Sequence, residues 1–112
     1  MSRVHILGVP VDALTFDQAI DRLHELLHTH QSSHVMTPNS EMIVEANKNP
    51  AFMQALKRSA LNIPDSQGLL WAARMTGQHL PERVTGVDTV TRLCLSLGPD
   101  TSVFFLGAQR GV

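Results

Sequence analysis

HVMTPNSEMIVEANKNPAFMQALKRSALNIPDS, residues 34–66, decides the fold of this chain. His34-Val35-Met36-Thr37 reads as a short buried strand that stops at Pro38-Asn39-Ser40. Glu41 to Lys48 is compatible with a helix. Asn49-Pro50 then supplies an N-cap and a first-turn proline for a second helix, which runs to about Ser59 with Phe52, Met53 and Leu56 turned inward. Ala60-Leu61-Asn62-Ile63 is a second short strand, and it ends at Pro64-Asp65. Strands that alternate with helices imply a mostly parallel α/β sheet with flanking helices, Rossmann-like in kind, which collects ligands at the carboxyl ends of its strands. By that rule Thr37–Asn39, Asp65 and the turn at residues 107–111 are expected to open on one edge.

The same alternation continues on both sides. Val4 to Val11 is β-rich and broken by Gly8 and Pro10, which predicts two short extended pieces near a sheet edge. Thr15-Phe16-Asp17-Gln18 has capping-box spacing, with Leu14 and Ala19 placed as a hydrophobic staple. Phe16, Ala19, Ile20, Leu23, Leu26 and Leu27 recur every three or four residues, so an amphipathic helix is expected to about His28. Downstream, Gln67 to Met75 suits a helix anchored by Leu70 and Trp71 and closed by Gly77. Asp88 is placed to cap another, in which Val90, Leu93, Cys94 and Leu97 share a face and Gly98 ends the run. Val103-Phe104-Phe105-Leu106 reads as an apolar strand followed by the glycine-rich turn Gly107-Ala108-Gln109-Arg110-Gly111. Such a turn ordinarily feeds a helix whose N-terminus binds phosphate. None follows here, so the sheet is expected to be incomplete and residues 1–112 to form one α/β domain, a fragment or truncated product.

Bulk properties exclude some classes. With 112 residues the chain has room for one core. A net charge of −1 with dispersed Lys and Arg provides no stripe for a phosphate backbone, so nucleic acid is not an expected partner. One cysteine, Cys94, rules out an intrachain disulfide framework and is expected as a buried thiol in a reducing compartment. No apolar run approaches the ~18 residues that span a bilayer, and the first residues have no signal-peptide core, which points to the cytoplasm.

One motif promises different chemistry. His24-Glu25-Leu26-Leu27-His28 with His34 has the spacing of a zinc hydrolase, in which two histidines on one helical turn hold the metal and a third completes the site. Three features weigh against it. His24 and His28 lie beside Asp17 and Asp21 on the solvent flank of the apolar stripe. Gln31 stands where a turn glycine normally returns the chain to the third ligand. Only 23 residues precede His24, too few for a substrate-binding sheet.

The remaining motifs are linked in order. Val35-Met36-Thr37-Pro38-Asn39-Ser40-Glu41, Asn62-Ile63-Pro64-Asp65-Ser66-Gln67-Gly68, Pro81-Glu82-Arg83-Val84-Thr85-Gly86-Val87-Asp88 and Val103-Phe104-Phe105-Leu106-Gly107 together resemble the WecG/TagA/CpsF family of bacterial glycosyltransferases over nearly the whole chain, which by that resemblance is the N-terminal portion of a family member, residues 1–112. The resemblance implies an inverting enzyme that moves an N-acetylmannosamine-type sugar from a UDP donor to a polyprenyl-diphosphate-linked acceptor, for cell-surface polysaccharide or teichoic acid synthesis at the inner face of the membrane. It implies Asp65 as catalytic base, Thr37 and Asn39 as substrate-positioning residues, Arg83 as a cationic contact to diphosphate and Gly107 as part of the nucleotide pocket. No Asp-x-Asp occurs, so no metal cofactor is expected. Each residue has a structural alternative as well: Asp65 or Asn39 as a helix cap, Arg83 as an ion-pair partner of Glu82 or Asp88. Ser66 stands where the family usually has glycine, which puts the loop geometry in question. A truncated chain could also keep a nucleotide-sugar pocket without catalysis, and apolar surface left by a missing half would favour a homo-oligomer.

Overall fold

A computed structural model of the chain describes residues 2–29, 31–107 and 110. Its strands are β1 (Ser2–Ile6), β2 (Val9–Ala13), β3 (Val35–Met36) and β4 (Leu61–Asn62). Its helices are α1 (Phe16–Leu27), α2 (Ser40–Lys48), α3 (Pro50–Arg58), α4 (Gln67–Met75) and α5 (Gly86–Ser96). The result is α/β, but the sheet is not the mostly parallel one expected. β1 and β2 form an antiparallel hairpin, and only β3 and β4 pair in parallel.

The hairpin follows from its turn. Leu7 and Gly8 both have positive φ, at 48° and 84°, which is the primed two-residue turn whose twist matches paired strands. Gly8 adopts that conformation without cost, and Leu7 tolerates it at the exposed tip. The two extended pieces read from the sequence therefore pair with each other, with Val4 and Ile6 buried and Arg3 and His5 outward.

Caps set the helices. Thr15 and Gln18 close the expected capping box on α1. Asn39 caps α2 and Asn49 caps α3, with Pro50 in the first turn. Ser66 caps α4. Thr85, not Asp88, caps α5: its hydroxyl accepts from the Asp88 N–H at 3.2 Å, so the helix starts at Gly86 and Asp88 sits in its first turn. With Thr85 extended at the cap, Asp88 falls in the first turn, where its negative charge favours the helix N-terminus.

Two apolar clusters hold these elements. Val4, Ile6, Val9 and Val11 pack with Ile43, Ala46, Leu56, Leu69, Ala73 and Leu80, so the hairpin lies under α2, α3 and α4. Leu14, Ala19, Ile20 and Leu23 pack with Leu61, Ile63 and Val84, which joins α1 to β4. A polar clamp ties the hairpin to β4. Asp12, 3% exposed, accepts from Arg3 Nε at 2.9 Å and from the Asn62 N–H at 2.7 Å. The fully buried Asn62 side chain donates to Pro10 O and Leu56 O and accepts from the Ser59 hydroxyl.

Three further sequence expectations are corrected. Trp71 is 66% exposed and anchors nothing, because α4 presents Leu69 and Ala73 to the core and Trp71 falls on the opposite side. Cys94 is exposed, since α5 buries Thr89 and only half-buries Leu93 and Leu97. A thiol reagent is therefore expected to modify Cys94 stoichiometrically in the folded chain, within about tenfold of the rate in urea; a protected thiol would contradict the placement of α5. Val103–Leu106 forms no strand. The four side chains are 49–92% exposed, and an isolated extended segment has no partner to satisfy its backbone.

Candidate functional site at the carboxyl edge of the parallel strands

The parallel pair extends past its two ladder positions. Ala60 donates to His34 O at 2.8 Å, Ile63 to Met36 O at 2.8 Å and Asp65 to Pro38 O at 3.2 Å, so residues 34–38 and 60–65 run side by side to their carboxyl ends. Val84 donates to Pro64 O at 2.8 Å and brings a third segment alongside. Each of the three segments then turns into a helix. α2 starts after Asn39, α4 after Ser66 and α5 after Thr85. The Ser40 and Ser66 hydroxyls lie 3.4 Å apart, which places the starts of α2 and α4 together. Three helix N-termini at one edge present unpaired N–H groups and positive potential to an anion.

Thr37, Asn39 and Asp65 meet at that edge. Asp65 is half-buried, and among the described residues its carboxylate has no hydrogen bond or ion pair. The capping alternative does not apply to it, because the Ser66 hydroxyl receives the Leu69 N–H. Ser66 has φ −153° and ψ 148°, an extended conformation open to any residue, so the serine imposes no strain on this loop. Asn39 does cap: its Oδ1 accepts from Met42 N–H at 2.9 Å, and its amide nitrogen stays unengaged by the described residues. Arg83 is exposed and forms no ion pair with Glu82 or Asp88; Glu82 bonds the Phe16 N–H instead. The Val84–Pro64 bond sets the Arg83 backbone next to the Asp65 loop.

Gly107 is not brought to this edge. It lies beyond α5 in an exposed segment, with φ 106° and open space around it, because the strand expected to carry it is unpaired. Ala108, Gln109 and Gly111 of the same turn lie outside the described residues.

Sequence reading missed Gly86. A Cβ there would stand 3.3 Å from Thr37 Cγ2 and 3.4 Å from Thr37 Oγ1, so the glycine lets α5 close directly onto Thr37. Threonine is stiff at χ1 and cannot swing aside cheaply. Gly86→Ala is therefore expected to change stability by less than about 1 kcal/mol in thermal unfolding, the alanine's helix preference offsetting the contact. A loss well above that would mean that Thr37 cannot give way to the added methyl. The signal was the Thr-Gly step itself, legible only once Thr37 is known to face it.

The histidine motif takes another course. His24 Nε2 lies 2.8 Å from Ser96 Oγ across the α1–α5 packing, and that hydroxyl also bonds Leu93 O, so this ring nitrogen is engaged in helix packing. Glu25 pairs with Arg22 at 3.0 Å. Among the described residues no three His, Cys, Asp or Glu side chains gather in a metal-binding arrangement.

The family model for the glycosyl transferase WecG/TagA/CpsF family matches residues 4–112. The chain belongs to that family. It is also 29% identical over 87 residues to an N-acetylglucosaminyldiphosphoundecaprenol N-acetyl-beta-D-mannosaminyltransferase of Bacillus spizizenii. That match covers 77% of this chain and 34% of the relative, so the chain spans about a third of that protein's length. The four motifs at the carboxyl edge and beyond it all fall within the family match, including the Val103–Gly107 segment that stands apart in the fold.

Proposed function

We propose that this chain supplies the catalytic edge of an inverting glycosyltransferase that moves an N-acetylmannosamine-type sugar from UDP to a polyprenyl-diphosphate-linked sugar. The observation that carries the reading is Asp65, an unengaged carboxylate at the end of β4 among the starts of three helices. In this reaction Asp65 takes the proton of the acceptor hydroxyl as its oxygen attacks the anomeric carbon. The bond from that carbon to the diphosphate oxygen breaks on the opposite face, and UDP leaves with the electron pair. Arg83 and the helix N-termini stabilise the departing charge, while Thr37 and Asn39 orient the sugar. The B. spizizenii relative, whose name specifies an undecaprenyl-diphosphate-linked acceptor and a mannosaminyl product, supports the same substrate classes.

The parallel pair is, in this reading, the kernel of a larger Rossmann-like sheet, and the whole protein works as a peripheral enzyme at the cytosolic membrane face. Among the described residues no helix is long and apolar enough to cross a membrane. The test is transfer of labelled sugar from UDP-N-acetylmannosamine to a polyprenyl-diphosphate-linked N-acetylglucosamine by the whole protein. Labelled lipid product is expected, with inverted anomeric configuration; retention of configuration would exclude a single displacement assisted by Asp65.

A further inference from the structure

Trp71, which the core leaves unused, lines a groove. Gln67, Trp71 and Arg74 stand at i, i+4 and i+7 on one side of α4 and enclose, with Gln78, His79 and Pro81, a hollow of about 140 Å³. The wall opposite α4 is pinned through alternate residues: the Gln78 side chain bonds both backbone groups of His5, Leu80 is buried, Glu82 bonds the Phe16 N–H and Val84 donates to Pro64 O. His79, Pro81 and Arg83 between them are exposed. Gln67 stands two residues after Asp65 and Pro81 two before Arg83, so the groove opens at the carboxyl edge and runs ~10 Å along α4 to Arg74.

The lining has one sign of charge. Arg74 forms no ion pair with a described residue, and no carboxylate lines the hollow. An exposed indole beside an unpaired guanidinium offers a flat apolar face to a ring and a two-pronged donor to an anion. Met75, next to Arg74 at the end of α4, is 86% exposed and adds apolar surface there. A lipid-linked acceptor has the same layout. Its attacking hydroxyl cannot be the one that carries the diphosphate, so with that hydroxyl at Asp65 the diphosphate lies a hexose ring away and the prenyl chain farther still.

We infer that this groove holds the acceptor. The hexose ring lies on Trp71 with Gln67 bonding its polar substituents, the diphosphate sits on Arg74 and His79, and the first prenyl units pass Met75. Arg83 is left to the donor diphosphate, which makes Trp71 and Arg74 specificity residues for the acceptor alone. The inference rests on the reaction proposed above, but its test reads binding and not transfer.

The test is calorimetric titration of the whole protein with N-acetylglucosaminyl-diphospho-farnesol, a short-chain acceptor, and separately with UDP. Trp71→Ala and Arg74→Gln are each expected to raise the acceptor Kd at least ~10-fold and to leave the UDP Kd within about a factor of two. Arg74→Lys keeps the charge without the fork and is expected to recover part of the loss. Farnesyl diphosphate, which lacks the sugar, is expected to bind more weakly to Arg74→Gln and equally well to Trp71→Ala. Both side chains are exposed, so the melting temperature is expected to hold. Acceptor affinity unchanged in both variants would overturn the inference, as would equal losses for UDP and acceptor, or no acceptor binding by the parent. So would a Trp71→Ala protein that loses self-association and keeps the acceptor, which would assign this face to a second copy of the chain. A protein that binds acceptor in the groove and transfers nothing would contradict the proposed reaction and not the groove.

Discussion

Asp65→Asn in the whole protein is expected to lower the rate of sugar transfer by about 10²–10⁴-fold, the range that a positioned general base contributes. The fold is expected to survive. Asp65 makes no side-chain bond to a described residue, its backbone N–H to Pro38 O is untouched, and the cap of α4 belongs to Ser66. Asparagine keeps the size and loses the basic oxygen, so the loss falls on kcat with little change in the melting temperature. The corresponding change at the cap, Ser66→Ala, removes the Leu69 acceptor and about 1 kcal/mol of helix stability instead. Turnover within a factor of two of the parent in Asp65→Asn would remove this residue from the chemistry.

The largest stability effect is expected at a residue that never meets substrate. Asp12→Ala takes away the acceptor of the Asn62 N–H and the partner of Arg3. The amide is buried, and leaving it without an acceptor costs ~1–3 kcal/mol. Arg3 keeps contact with solvent at 31% side-chain exposure and still donates to Ser59 O, which brings the ion-pair share well below that of a fully buried pair. A total of about 3 kcal/mol follows, or a melting temperature lower by roughly 10–20 °C for a chain of this size. Because Asn62 lies three residues before Asp65 on the same segment, loosening it also displaces the carboxylate. Asp12→Asn retains an acceptor and is expected to lose less than half as much. A shift under 3 °C in Asp12→Ala would mean that the apolar clusters alone hold the hairpin to β4.

The helices were legible because caps and apolar periodicity are local. Thr15 with Gln18, Asn49 with Pro50 and the Gln67–Met75 span read from sequence as they stand in the fold. The parallel pairing of residues 34–37 with 60–63 was legible too, since two short apolar runs joined by helices have few other ways to meet. What failed depends on partners. Trp71 and Cys94 sit in helical apolar patterns, but which side a helix buries is set by the neighbours it finds, and α4 and α5 turn these residues outward. Val103–Leu106 has strand composition and no strand in the fold, because composition supplies half of a ladder and an edge must supply the other half. At the site, the shared edge of Thr37, Asn39 and Asp65 followed from the rule that parallel strands open at their carboxyl ends, but the same rule placed Gly107 there and the fold does not, because its strand is unpaired. The closeness of Gly86 to Thr37 and the clamp through Asp12 and Asn62 did not follow from it, since both join segments about fifty residues apart in the chain.

The central claim is that a nucleotide sugar sits at the edge where α2, α4 and α5 begin. Titration of UDP into the isotope-labelled whole protein, followed residue by residue in its amide spectrum, tests it most directly. Saturable shifts are predicted to concentrate at Thr37, Asn39, Ser66 and Gly86, around Asp65. Saturable shifts centred instead on the hollow between His24, His28 and Thr101, with the carboxyl edge unmoved, would contradict it.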